Sequence, residues 1–141
     1  MDEVRSVICV YFKSPVLLES FAEACLRFTS QIAIRKDEAV FLEVGRSQKL
    51  FREDMLFLRL DALARRFRGN AVIRSASDAA TAFVKARYDV SDPLQLPLTS
   101  LVSYLDPFSK PDEESARSLE RMITMLRRLG LRTIEDFMMF P

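Results

Sequence analysis

The chain has 141 residues, 49% of them hydrophobic, which is enough for one domain, or one domain with an appendage, around a buried core. Its 21 lysines and arginines nearly cancel 20 aspartates and glutamates, leaving +1, so wholesale electrostatic binding to nucleic acid is excluded and any such contact must be local. Histidine is absent, which removes imidazole bases, Ser-His and Cys-His nucleophile pairs and the commonest zinc ligand. Cys9 and Cys25 lie in apolar stretches without metal-ligand spacing and read as reduced core residues. No metal or cofactor is expected. No apolar run approaches the ~20 residues of a membrane span, and Met1-Asp2-Glu3-Val4-Arg5 lacks the basic flank of a signal peptide. The expectation is a cytoplasmic protein with no membrane partner.

Val7 to Phe12 is a continuous apolar run of β-branched and aromatic residues, which fits a buried strand. Ser14 as N-cap with Pro15 at N1 opens a helix whose apolar positions are Leu17, Leu18, Phe21, Ala22, Cys25, Leu26 and Phe28. Ile32 and Ile34 alternate with polar or small residues, Lys36-Asp37-Glu38 turns the chain, and Val40 to Val44 returns as the second leg of a hairpin ended by Gly45. From about Arg52 to Phe67 a helix carries Met55, Leu56, Leu58, Leu60, Leu63, Ala64 and Phe67, and stops at Gly69-Asn70. Its end is the basic cluster Arg65-Arg66-Phe67-Arg68, read as a solvated, dipole-favoured terminus. Ala71 to Arg74 is a short strand, and Ser77-Asp78 caps a helix from Ala79 to about Tyr88.

The order βαββαβ is that of a ferredoxin-like α+β domain, here with an added helix, and predicts an antiparallel sheet covered on one face. Residues 1–90 form that domain. Residues 91–111, with Pro93, Pro97, Pro107 and Pro111 around one helical piece from Leu98 to Leu105, form a connection to a helical hairpin over 112–141.

In that hairpin a helix begins near Pro111 and runs to Leu129. Gly130 serves as C′, with Leu131 packing back on Leu126, and Thr133 with Asp136 forms a capping-box-like pair that opens a second helix. Arg127, Arg128 and Arg132 make the tip locally basic, since Asp112, Glu113 and Glu114 lie at the far end. Spacing alone leaves two readings open: an ordinary helical corner, or a clamp on a phosphate. The terminal Phe137-Met138-Met139-Phe140 is likewise either the buried face of a short helix or a partner patch.

Three stretches in this order resemble the palm and thumb of Y-family DNA polymerases, particularly the non-catalytic ImuB type found in bacterial mutasomes. They are Leu18 to Thr29, similar to the palm helix; Val40-Phe41-Leu42-Glu43-Val44-Gly45 with Leu50-Phe51, similar to the family's leucine-acid-valine strand; and Leu126 to Phe137, similar to the thumb's leucine-glycine-isoleucine-x-threonine-isoleucine-x-aspartate signature. The resemblance implies a palm-like domain and a helix-hairpin-helix thumb in DNA repair or translesion synthesis. Two-metal nucleotidyl transfer needs clustered carboxylates, yet Val7 to Phe12 holds none, and registering Leu42-Glu43-Val44 on the family's strand leaves Glu38 and Ala39 in the acidic places. Asp37-Glu38 would fit only after a one-residue slip that reverses every side chain. No catalytic residue and no metal site are therefore expected, and no stretch corresponds to fingers or a little finger.

What the resemblance leaves is weak, sequence-independent DNA binding, with the amides of Gly130, Leu131, Arg132 and Thr133 and the charges of Arg127, Arg128 and Arg132 on phosphates. The alternative is a protein–protein adaptor with no direct DNA binding. For that, Gln95-Leu96-Pro97-Leu98 partly resembles the peptide by which replication proteins dock on the sliding clamp, with Thr99 in place of its aromatic anchor; Gln95, Leu96 and Leu98 would contact the clamp, and a replicative or mutasome polymerase is another candidate partner.

Overall fold

A computed structural model describes residues 6–45, 52–104, 108 and 111–139. Leu50, Phe51, Phe140 and Pro141, and the start Met1 to Arg5, lie outside the described residues. The fold is mixed α+β: β1 (Val7–Phe12), α1 (Leu18–Cys25), β2 (Ile32–Arg35), β3 (Ala39–Glu43), α2 (Glu53–Arg66), β4 (Ala71–Ala76), α3 (Ala79–Arg87), α4 (Glu113–Arg128) and α5 (Ile134–Met139). Two 3-10 stretches, Pro93–Gln95 and Leu98–Tyr104, fall between α3 and α4. The four strands are antiparallel in the order β2-β3-β1-β4, with Cys9 opposite Phe41 on one side and Arg74 on the other.

β1 is apolar throughout because both of its faces are covered. Ile8, Val10 and Phe12 join Val40, Leu42 and Val44 beneath α1 and α2, where Phe21, Cys25, Leu56, Leu60 and Ala64 are buried. The Phe21 ring meets Phe12 edge-on at 5.0 Å and Phe67 at 5.6 Å. On the opposite face, Cys9, Ala39 and Phe41 pack under Ala82, Phe83 and Ala86 of α3. The expected one-faced sheet is thus corrected. Ala39 and Phe41 on the second face of β3 are buried, and α3 lies across them.

The helix after β1 also differs from expectation. It starts at Leu18 rather than at Ser14-Pro15, and its N-cap residue, Leu17, makes no side-chain cap. Ser14 Oγ instead accepts from the Asn70 amide at 3.4 Å while Lys13 N donates to Asn70 O at 2.8 Å, which holds this stretch beside the loop before β4. Leu17 and Leu26, counted as core positions from their spacing, are 75% and 55% exposed.

Helix α2 ends in a Schellman arrangement, Arg68 N donating to Arg65 O and Gly69 N to Ala64 O, with Arg68 at φ 58°. The left-handed position is therefore Arg68. Gly69 serves a different need: a Cβ there would stand 2.5 Å from Phe12 Cε1. Asp78 caps α3 by accepting from Thr81 N at 2.8 Å.

The stretch expected as a connection is packed on both sides. Leu98 is fully buried against Leu119, Ile123 and Leu126 of α4, and Ser103 Oγ accepts from Arg87 Nη1 at 3.1 Å.

Candidate nucleic-acid interface

The hairpin tip forms as its sequence demands. Gly130 N donates to Arg127 O at 3.0 Å and Leu131 N to Leu126 O at 3.1 Å, the pair of bonds that closes a Schellman motif, with Gly130 at φ 92°. Leu131 packs against the cluster containing Leu126. Thr133 Oγ1 accepts from Asp136 N at 3.2 Å, and Asp136 Oδ2 accepts from Arg132 N at 2.9 Å and Thr133 N at 3.1 Å. Those amide bonds, Arg132's first, hold the Asp136 carboxyl below the usual carboxylate range.

These bonds correct the expected phosphate cradle. The amides of Gly130 and Leu131 are taken by carbonyls, and those of Arg132 and Thr133 by the Asp136 carboxylate, which occupies the position an anion would need. Ile134 N donates to Leu96 O at 3.0 Å. What the tip offers is side-chain charge. Arg127, Arg128 and Arg132 are all exposed, and among the described residues none of them forms an ion pair.

The three do not share one face. Arg127 and Arg128 are adjacent on α4 and diverge by about 100°. Arg128 falls in line with Arg117 and Arg121, directly opposite the buried stripe Leu119, Ile123 and Leu126, and these arginines line a shallow groove with Glu120, Thr124 and Met125. From Arg117 to Arg128 is ~16 Å along the helix axis, about five nucleotides of one strand. Arg117 has a loose ion pair with Glu113 at 3.8 Å; Arg121 has none among the described residues. Arg117 and Arg121 escaped the sequence reading, which looked only around the glycine, although their spacing to Arg128 already puts them on one helix face.

The segment proposed for clamp docking is tied to the hairpin. Leu98 N donates to Arg132 O at 3.0 Å, Pro97 bridges Thr133, and Gln95 Nε2 donates to Glu135 Oε2. Gln95 is exposed and Leu96 half-buried, but Leu98 is a core residue, so its expected role as a docking contact is corrected: an anchor at 0% exposure is not presented to a partner. The described apolar residues at the C-terminal end do not form the buried helix face that was one of their two readings. Phe137, Met138 and Met139 are exposed, only Ile134 of α5 being buried.

At the place where the resemblance puts polymerase carboxylates, Glu38 pairs with Arg35, and Arg35 is buried with its Cζ 4.4 Å from the Phe83 ring centroid. Asp37 occupies the left-handed turn position at φ 65°. No group of three or more Cys, Asp or Glu side chains among the described residues could hold a metal ion. Burial pushes the Cys25 thiol up to about 12 and the Cys9 thiol higher still, so neither presents a thiolate. No helix among the described residues is long and apolar enough to cross a membrane. No family model, curated protein or solved structure matches the chain.

Proposed function

We propose that this chain is a catalytically inactive, Y-family-polymerase-like protein of DNA repair or damage-induced mutagenesis, acting in the cytoplasm by holding a DNA backbone or a polymerase partner. The observation that carries the reading is the basic surface of the helical hairpin: a capped, internally bonded turn that exposes Arg127, Arg128 and Arg132, continued along α4 by Arg117 and Arg121. The strand order β2-β3-β1-β4 around a βαββαβ chain supports a ferredoxin-like, palm-like domain, and the Gly130 corner supports a thumb-like hairpin. The engagement of Glu38 by Arg35 supports a role without metal-dependent catalysis. Because contact is through side chains, binding would be weak, sequence-independent and salt-sensitive.

The test is fluorescence anisotropy of a labelled primer–template DNA at low and moderate salt. Binding in the micromolar range that weakens with salt is expected, and replacing Arg127, Arg128 and Arg132 with Gln should flatten the salt slope by about one unit per lost phosphate contact. Absence of binding at low salt refutes the DNA-holding part of the reading and leaves only a protein partner. A protein adaptor is the second reading, favoured by the apolar residues beside the tip: Met125, Leu129, Met138 and Met139 are each at least 60% exposed. A sliding clamp or a polymerase subunit would be its partner.

A further inference from the structure

Helix α4 carries a second stripe besides the one that holds the hairpin together. Leu119, Ile123 and Leu126 are buried with Leu98 in the chain's own core. About a quarter turn around the helix, Ser115, Ser118, Met122, Met125 and Leu129 recur at alternating intervals of three and four residues, the spacing of positions a and d in a heptad repeat. All five face solvent: Met122 is 37% exposed, Met125 62% and Leu129 60%, and both serines are exposed. A helix that folds on one stripe and repeats a second at the period of a helix–helix seam is patterned to receive another helix.

The seam is graded in size. At one end Ser115 and Ser118 form a shallow hollow with Glu114, Leu119 and Met122, and at the other Met125 and Leu129 project. Large side chains of an incoming helix therefore fit beside the serines, and small ones face Leu129. The unbranched methionines between them adapt to the shape they meet.

Charge selects the incoming helix. With Ser115, Met122 and Leu129 at a, the flanking g positions are Glu114, Arg121 and Arg128. Arg121 and Arg128 line one groove with Met125, which sets both arginines alongside the apolar side chains. The opposite flank is Leu119 and Leu126, buried at 8% exposure each, so the arginine side is the one that meets the charged edge of a partner. Carboxylates on that edge match guanidinium groups in charge and in geometry. A second copy of the chain does not supply them. The antiparallel register that seats Leu129 on Ser118 and Met122 on Met125 brings Arg121 beside the second copy's Arg128, and a parallel pairing sets the arginines against the buried Leu119 and Leu126.

We propose that this seam docks an acidic amphipathic helix of another protein, with apolar residues at its own a and d positions and Asp or Glu on the edge facing Arg121 and Arg128. The docking rests on reading the hairpin as a contact surface, and it gives the adaptor's partner a chemistry. A DNA backbone needs the arginines and not Met122 or Leu129, so the two contacts are separable.

The experiment is a methyl and arginine Nε NMR titration of the whole chain with two synthetic amphipathic peptides. Both carry Leu at a and d; one has Glu at e and g, the other Lys. The Glu peptide is expected to shift the methyl signals of Met122, Met125 and Leu129 and the Nε signals of Arg121 and Arg128, and to bind about tenfold more tightly than the Lys peptide. Arg121→Glu/Arg128→Glu should reverse that order. Met122→Gln/Leu129→Gln places a good helix former at exposed positions and should keep the fold by circular dichroism. It should lose about tenfold in affinity for the Glu peptide while binding primer–template DNA as the unaltered chain does. DNA binding without any shift from the Glu peptide overturns the docking and leaves the DNA-holding reading in place; docking of the Glu peptide without DNA binding does the reverse. Equal affinity for the two peptides, or binding undiminished in the Met122→Gln/Leu129→Gln variant, also overturns the proposal. So do seam shifts that follow protein concentration alone, the signature of a second copy.

Discussion

The sheet and the helical hairpin use the same kinds of side chain to opposite ends. In the sheet, apolar residues face inward on both sides, and even an arginine, Arg35, is 2% exposed between Glu38 and Phe83. In the hairpin, α4 buries only Leu119, Ile123 and Leu126 and turns its arginines and two methionines outward. The sheet is therefore fixed by burial, whereas the hairpin is fixed by a short apolar stripe and by caps at its ends. A surface function belongs to the second kind of construction, because the side chains that hold it together are not those that would touch a partner.

Four substitutions and one change of condition sharpen this contrast. The largest effect is expected from Phe21→Ala, which removes the ring joining Phe12 to Phe67 and should destabilise the whole fold by about 3–5 kcal/mol in a denaturant melt. Leu98→Ala comes next, at about 2–4 kcal/mol, and should act locally: hydrogen exchange should quicken in α4 and α5 before it does in β1. Equal quickening in both would show that the two regions are one cooperative unit. Gly130→Ala meets no atom within 4 Å, so its cost is backbone strain alone, about 1–2 kcal/mol at φ 92°. Thr133→Ala should cost about 1 kcal/mol through the lost cap.

The smallest effect is acidic. Asp136 has its folded pKa depressed, so the stability it adds is present above the unfolded pKa and is lost as pH falls through the folded one, below the ordinary aspartate range. The Arg132 and Thr133 amide signals should move with that titration and stay fixed in Asp136→Asn. Movement in the variant would assign the effect to another group.

The strands β1 and β2 and the helical corner were legible because each rests on local, periodic or conformationally restricted residues: the apolar run of β1, the alternation of Ile32 and Ile34, and Gly130 before a Thr133–Asp136 box. Helix ends were legible with and without a glycine, α3 closing at Tyr88 as its pattern gave, although the residue that takes the left-handed turn was legible only at Gly130. Helix α3 closes in the same way as α4, Asp89 N donating to Ala86 O and Val90 N to Lys85 O, but its left-handed residue is Asp89, as Arg68 is for α2. The start of α1 was misplaced because Ser14 is bonded to Asn70, 56 residues away, a partner that no local pattern discloses. The expected amide cradle failed for a chemical reason. The carboxylate that completes the cap competes for the N–H groups that a phosphate would have used.

The most direct measurement is an NMR footprint of primer–template DNA on the labelled chain, recording arginine Nε signals and the exchange rates of the amides at 130–133. If the hairpin holds DNA by side-chain charge, the Nε signals of Arg117, Arg121, Arg128 and Arg132 will shift while those amides keep their protection. If DNA leaves these arginine signals unmoved, or the amides lose their internal bonds to it, the hairpin does not work in this way.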